Sequence, residues 1–205
     1  MSRFLLIRHA SHDYLNRAIA GWRPGVHLNA QGREEAGRLA AALDGIPIQA
    51  LYTSPLERTL ETAEAISRCT GAEVRVREDF GEVRFGDWTD VDFETLNQDP
   101  RWQTFTRFRA GTRAPGGEML LEVQARMVTA IERLRGEHPR DTGAIISHGD
   151  PIKAALMHYL GIALDLLHRI DISPASVSVL ELRDGRAKVL LLNSLAPRDG
   201  GRFSF

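Results

Sequence analysis

The chain has 205 residues, of which 43% are hydrophobic and 26% charged, with a formal net charge of −1; this is the size and composition of one globular domain with a substantial core. So balanced a charge excludes bulk attraction to nucleic acid or to an anionic membrane, and any affinity for phosphate must come from a local cluster of cations. The single cysteine, Cys69, makes no internal disulfide, and the apolar run Phe4–Ile7 is too short for a signal h-region or a membrane span, so a soluble cytoplasmic protein is expected.

Phe4-Leu5-Leu6-Ile7 reads as a buried strand that surfaces at the basic pair Arg8-His9. Gln31–Leu43 carries Ala36, Leu39, Ala40 and Leu43 at helical spacing, and Ala50–Tyr52 reads as the next strand. Leu56–Cys69 follows Ser54-Pro55 with Leu60, Ala63 and Ile66 on one helical face, and Val74–Val76 is a third strand. Residues 80–117 break this rhythm, with seven aromatic side chains among glycine, proline and charges; the stretch is read as a cap over a pocket. Phe105 and Phe108 within it are assigned to an irregular helical subcore. Leu120–Leu134 is a further amphipathic helix and leads into the strand Ala144–Ser147, which ends in Ser147-His148-Gly149. Pro151 suits the first turn of a helix running to Leu160, with Asp150 as its expected cap. Val177–Leu182, Asp184-Gly185 and Lys188–Leu192 form a terminal hairpin, and Arg198, Gly200-Gly201 and Arg202 a loose tail.

Strands alternating with helices predict an α/β fold, a three-layer αβα sandwich with a mixed, mostly parallel sheet. Ligands of such sheets collect outside the carboxyl ends of the strands, so two strands ending in histidine aim both imidazoles at one crevice. Transfer of a phosphoryl group from an alkyl ester needs charge stabilisation on its oxygens, an in-line nucleophile and a proton donor for the departing alkoxide. Arg8 and Arg58 supply planar forks for phosphate, and Arg58 stands in the first turn of a helix, where free amides also favour an anion. His9 is the candidate nucleophile, since neutral imidazole forms a labile phosphoramidate. His148 is expected to donate to the same phosphoryl oxygens as a cation, its pKa raised by the bound dianion. Glu82 is the expected acid, with Asp87 as the weaker alternative.

In order along the chain, these segments resemble the histidine phosphatase superfamily, the phosphoglycerate mutase-like proteins. Leu6-Ile7-Arg8-His9-Ala10 is similar to the family's Arg-His-Gly signature, and Leu28-Asn29-Ala30-Gln31-Gly32 to its turn into the first helix. Tyr52-Thr53-Ser54-Pro55-Leu56-Glu57-Arg58 resembles the segment with the second phosphate-binding arginine, and Glu82 with Phe85-Gly86-Asp87-Trp88 the proton-donor segment. Pro115-Gly116-Gly117-Glu118 and Ser147-His148-Gly149 complete the set. The resemblance implies metal-independent phosphoryl transfer through a phosphohistidine at His9, with no cofactor and a small phosphate ester as substrate. The chain departs from the pattern at Ala10, where glycine is usual, at Ser11-His12-Asp13, and at Leu15, where an asparagine often contacts phosphate; Asn16 comes one residue late. Substrate contacts are expected from Ser11, Arg17, Trp22, Arg23 and Gly149 besides the arginines.

Three other readings bear on the same residues. His9, His12, Asp13, His148 and Asp150 can be drawn as a metal site, but two arginines beside them suit an anion better than a divalent cation. A non-catalytic phospho-ligand-binding protein needs neither nucleophile nor acid. A mutase of the phosphoglycerate type shares the phosphohistidine, yet such mutases carry Tyr-Gly-x-Leu-x-Gly-Leu-Asn-Lys after the acid where this chain has Phe85-Gly86-Asp87-Trp88-Thr89-Asp90. Hydrolysis is therefore expected. His27, His138, His158 and His168 are assigned no role, and the oligomeric state is left open.

Overall fold

A computed structural model describes residues 1–197 and 199–205. Its elements are β1 (Ser2–Arg8), α1 (Ala30–Leu43), β2 (Ile48–Thr53), α2 (Glu57–Thr70), β3 (Val74–Val76), α3 (Phe93–Leu96), α4 (Pro100–Arg107), α5 (Leu120–Glu137), β4 (Thr142–Ser147), α6 (Gly149–Leu160), β5 (Val177–Arg183) and β6 (Arg186–Ser194). The strands form one sheet in the order β3-β2-β4-β1-β5-β6. The contacts among β3, β2, β4 and β1 are parallel, while β5 runs antiparallel to β1 and β6 to β5. The expected mixed, mostly parallel sheet is the one observed.

Alternation along the central strands builds a core on each face, because successive side chains of a strand point to opposite sides. From β1, Leu5 and Ile7 pack with Leu39 and Leu43 of α1 and Ile66 of α2, all fully buried. Phe4 and Leu6 take the other face with Met127 and Ile131 of α5 and Leu156 of α6. Each such side chain contributes about 1.5–3 kcal/mol by leaving water, so a one-residue slip of β1 is strongly disfavoured and the chain beyond Ile7 is held in register. Asn29 caps α1 by accepting the Gly32 amide at 2.8 Å. Gly71 ends α2 with φ +73°.

Three expectations change. The helix after β4 starts at Gly149, not Pro151, with His148 at its N-cap; Asp150 lies inside the first turn and caps nothing, its carboxylate turning instead to Arg109. The tail is docked: Arg202 bonds Asp44 at 2.6 Å, the Phe203 amide bonds Ala42 O, and Phe203 and Phe205 pack on the α1 side of the core. Two apolar rings at its end explain the docking, and Arg198 lies outside the described residues. Phe105 joins a buried aromatic group with Trp88 and Trp102 at centroid distances of 5.2 and 5.7 Å. Phe108 does not, being 54% exposed where α4 has already ended at Arg107. Among the described residues, no helix is long and apolar enough to cross a membrane.

Candidate active site

β1 and β4 are parallel neighbours paired with Arg8 opposite Ser147, so the residues that follow, His9 and His148, leave the sheet side by side. The His9 amide bonds Ser147 O at 3.0 Å, and the two imidazole rings lie 5.1 Å apart between centroids. β2 ends level with them, its next residue Ser54 bonding Ile146 O through its amide. Ser54 is followed by α2, which presents Arg58 from its first turn. Gly32 of α1 backs the loop after His9: a Cβ there would lie 1.9 Å from Ser11 O, so any other residue would displace the turn. Ala10 has no positive φ, which explains how alanine stands there without strain.

Both guanidinium groups are sunk in the protein. Arg58 is 1% exposed and donates through Nη2 to Gly21 O at 2.9 Å and to His148 Nδ1 at 3.2 Å. Arg8 donates to Ile172 O at 2.6 Å. Neither has a carboxylate within salt-bridge distance among the described residues, and Arg8 Nε, Arg58 Nε and Arg58 Nη1 are buried without hydrogen-bond partners. Burial lowers the pKa of Arg8 and brings that of Arg58 down to about 10, so both remain cations at neutral pH. Two cations, Arg58 buried and Arg8 half-buried, with no salt-bridged carboxylate among the described residues, constitute a standing preference for an anion.

The same environment sets the imidazoles. His9 is 2% exposed, and its pKa is held well below the ordinary 6.5, first by burial and then by Arg58 and Arg8. Its Nδ1–H donates to Ala10 O at 2.8 Å, which leaves the lone pair on Nε2, an atom neither bonded to the protein nor sealed from the pocket. His148 is also pushed far down by burial and then Arg58, so amid the protein's own charges it is neutral, and the cationic form expected from sequence needs the bound dianion. Since Arg58 can only donate, His148 Nδ1 accepts, and Nε2–H donates to Ser54 Oγ at 2.9 Å. Only negative charge brought by a bound anion would favour a proton on Nδ1.

Glu82 turns inward: its Oε2 lies 3.8 Å from His148 Nδ1 and its Oε1 accepts the Val83 amide at 2.8 Å. Its pKa is raised to about 7, first by burial and then by Asp150, so the carboxyl is partly protonated at neutral pH. Arg84, a conceivable surface partner for it, instead pairs with Glu78 and stacks 3.8 Å above the Trp22 ring. Asp87 is not in the pocket wall.

Arg8, His9, Arg58, Glu82 and Gly149 share one pocket of about 350 Å³, walled further by Leu15, Asn16, Ile19, Phe85, Phe93, Trp102, Arg109, Asp150 and Lys153. His148, fully buried behind His9 and Arg58, is not in that wall, and neither are Ser11, Arg17, Trp22 and Arg23. Ser11 and Arg17 border an adjoining hollow of about 750 Å³. Arg23 pairs with Asp90, and Trp22 Nε1 donates to Glu82 O at 2.6 Å, steadying the Glu82 backbone from behind. Lys153 and Arg126 escaped the sequence reading, which also gave Ser54 no contact with His148 and His12 no place in a phosphate pocket. Arg126 projects from α5 to donate to Asp79 O, Gly81 O and Glu82 O, a clamp that helical periodicity alone does not reveal. No group of three or more His, Cys, Asp or Glu side chains is gathered at metal-binding separations among the described residues.

A sequence profile of the histidine phosphatase superfamily (branch 1) matches residues 4–195. The chain belongs to the histidine phosphatase superfamily. A bifunctional protein of Mycobacterium tuberculosis is 31% identical to this chain over 94% of the chain and 54% of its own length. The chain thus spans about half the length of that curated relative. Phosphoserine phosphatase 1 of Hydrogenobacter thermophilus is 26% identical, covering 94% of this chain and 92% of its own. The solved structure of Bacillus stearothermophilus YhfR superposes with a TM-score of 0.89 at 26% identity, over 95% of this chain and 98% of that one.

Proposed function

We propose that the protein is a phosphatase that hydrolyses small phosphomonoesters through a phosphohistidine at His9, without a metal or other cofactor. The observation that carries this reading is the pair of guanidinium groups, Arg58 buried and Arg8 half-buried, without a salt-bridged carboxylate among the described residues, beside an imidazole whose Nε2 lone pair is free. A phosphoryl dianion satisfies both charges at once. His9 Nε2 attacks phosphorus, the bond from phosphorus to the ester oxygen breaks, and Glu82 gives its proton to the departing alkoxide. Water then attacks the phosphohistidine, Glu82 takes one of its protons, and inorganic phosphate leaves with His9 restored. Arg8, Arg58 and His148, the last protonated by the charge it binds, hold the phosphoryl oxygens in both steps. Gly149 lies against Arg8, where an added Cβ would be 3.5 Å from the guanidinium carbon.

Residues 80–117 serve as the cap on the leaving-group side, since Glu82, Phe85, Phe93, Trp102 and Arg109 all come from them. The phosphoserine phosphatase among the relatives supports hydrolysis, while a phosphoglycerate mutase of Thermoplasma acidophilum at 25% identity keeps transfer as the reading to test against it. The decisive experiment is a chromogenic phosphate ester assay on wild type and His9→Ala, with rapid acid-free quenching to trap a phosphorylated protein. Turnover and a phosphohistidine lost together in His9→Ala are expected; equal turnover by the variant rejects the proposal. Isomerisation of 3-phosphoglycerate in the presence of 2,3-bisphosphoglycerate, followed by NMR, would assign the mutase reaction instead.

A further inference from the structure

His12 is buried at 5% exposure with its ring centroid 5.0 Å from that of His9, yet the chemistry above gives it nothing to do. Its Nδ1 accepts the Tyr14 amide at 3.2 Å, so in the neutral ring the proton sits on Nε2. That Nε2–H has no partner among the described residues and is not sealed off. The ring stands in the wall of the catalytic pocket, where Leu15 next along offers no polar group.

We propose that His12 is a third imidazole of the phosphate site, donating from Nε2–H to a phosphoryl oxygen held between Arg8 and Arg58. The inference rests on the phosphatase reading of the same pocket. Burial, followed by Arg58 and Arg8, brings the His12 pKa down to about 4, so the ring works as a neutral donor at physiological pH. The nearness of those two cations is consistent with the ring standing on the phosphate side. A neutral donor suits this position for a physical reason. Arg8, Arg58 and the His148 imidazolium that forms on binding already place three positive charges against the dianion, and a fourth cation would exceed its charge further, whereas a polarised N–H adds a directed hydrogen bond without further charge. Binding through the Tyr14 amide fixes which nitrogen carries the proton, as a partner on one ring nitrogen generally does for the other.

Two substitutions separate this role from a merely structural one, because Asn keeps an acceptor near the Nδ1 position and Gln keeps a donor near the Nε2 position. Inorganic phosphate is titrated calorimetrically into wild type, His12→Asn and His12→Gln, and ester turnover is measured on the same samples. His12→Asn is expected to weaken phosphate about tenfold and to lower kcat/KM by at least as much, with His12→Gln within about threefold of wild type. The reverse order assigns His12 to the turn and overturns the inference, as do equal losses in both variants, no loss in either, or a wild type that binds no phosphate. A wild type that binds phosphate but turns over no ester strikes the phosphatase reading alone, since the calorimetric comparison still decides the role of His12.

Discussion

His9 and His148 face each other with centroids 5.1 Å apart and planes inclined at 60°, and both are held neutral by burial and then by Arg58. Stability therefore depends on pH. In the unfolded chain a histidine titrates near 6.5, whereas His9, His148 and His12 do so lower when folded, His12 at about 4. Below pH 6.5 the unfolded state binds more protons, and stability falls as pH falls. Glu82 opposes this: its folded pKa of about 7 against an ordinary 4.5 gives stability that is full below 4.5 and lost as pH rises through 7. Three imidazoles outweigh one carboxyl, so Tm should drop between pH 6.5 and 4.5, and more steeply in Glu82→Gln. Calorimetric scans across that range check both statements; a flat wild-type profile contradicts them.

The reaction should have its own pH signature. With Glu82 as the acid, it must be protonated to release an alkoxide, and its pKa in the free protein is about 7, so kcat/KM for an alkyl ester should decline as pH rises through about 7. His9 needs to be neutral, and because its pKa lies well below 6.5 no loss of activity is expected near that value on the acid side. Glu82→Gln should lower kcat for alkyl esters by roughly 10²–10⁴ and abolish the alkaline limb. Aryl esters, whose leaving groups need little protonation, should suffer less. Equal losses on both ester types would remove Glu82 as the acid.

Arg58 offers a test in which stability and function move apart. Its guanidinium is 1% exposed and has no salt-bridged carboxylate among the described residues, so Arg58→Met removes a desolvated charge at the cost of bonds to Gly21 O and His148 Nδ1. The variant should be as stable as wild type, or more stable by roughly 1–3 kcal/mol, in phosphate-free buffer. It should also lose the rise in Tm that millimolar phosphate gives the wild type. Thermal melts with and without phosphate provide both readings, and a variant still stabilised by phosphate as strongly as wild type would show that Arg58 is no clamp.

Removal of metal should change nothing. The imidazoles lie beside two guanidinium groups, which repel a divalent cation, and no cluster of three or more ligating side chains is gathered among the described residues. Turnover after dialysis against EDTA should match that before it. Activity lost to the chelator and restored by a divalent ion would point to the metallophosphoesterase reading.

What could be read in the sequence was whatever a strand end or a helix start dictates. His9, His148 and Arg58 were legible because each follows a short apolar run or a Ser-Pro turn, and parallel pairing of β1 with β4 then places the two imidazoles without further information. Arg126 was not legible, since a basic residue on the polar side of an amphipathic helix looks like any solvated side chain until three backbone carbonyls close around it. Pro151 misplaced the start of α6 because a proline tolerates any position of the first turn. Phe108 and the docked tail show the same limit, as burial of one aromatic ring depends on where a distant surface happens to pass.

The loop that carries the acid gives the last prediction. Gly86 has φ +55°, and a Cβ on it would come within 2.0 Å of Pro115 O; a Cβ on Gly117 would lie 1.9 Å from Arg84 O. Residues 84–87 and 115–118 are thus locked back to back by the Asp87 amide on Pro115 O, the Glu118 amide on Arg84 O and the Arg84 amide on Glu118 Oε2, each at 2.8 Å. Arg126 ties the same Glu118 to the Gly81-Glu82 backbone. Gly86→Ala must part these loops and adopt an unfavourable backbone, which displaces Glu82 while leaving Arg8 and Arg58 on their strand end and helix. We expect kcat to fall about tenfold or more with the phosphate Kd within about twofold of wild type. Glycine at this position would be irrelevant to the acid if kcat stayed intact, and the two loops would be part of the phosphate clamp if Kd weakened in step with kcat.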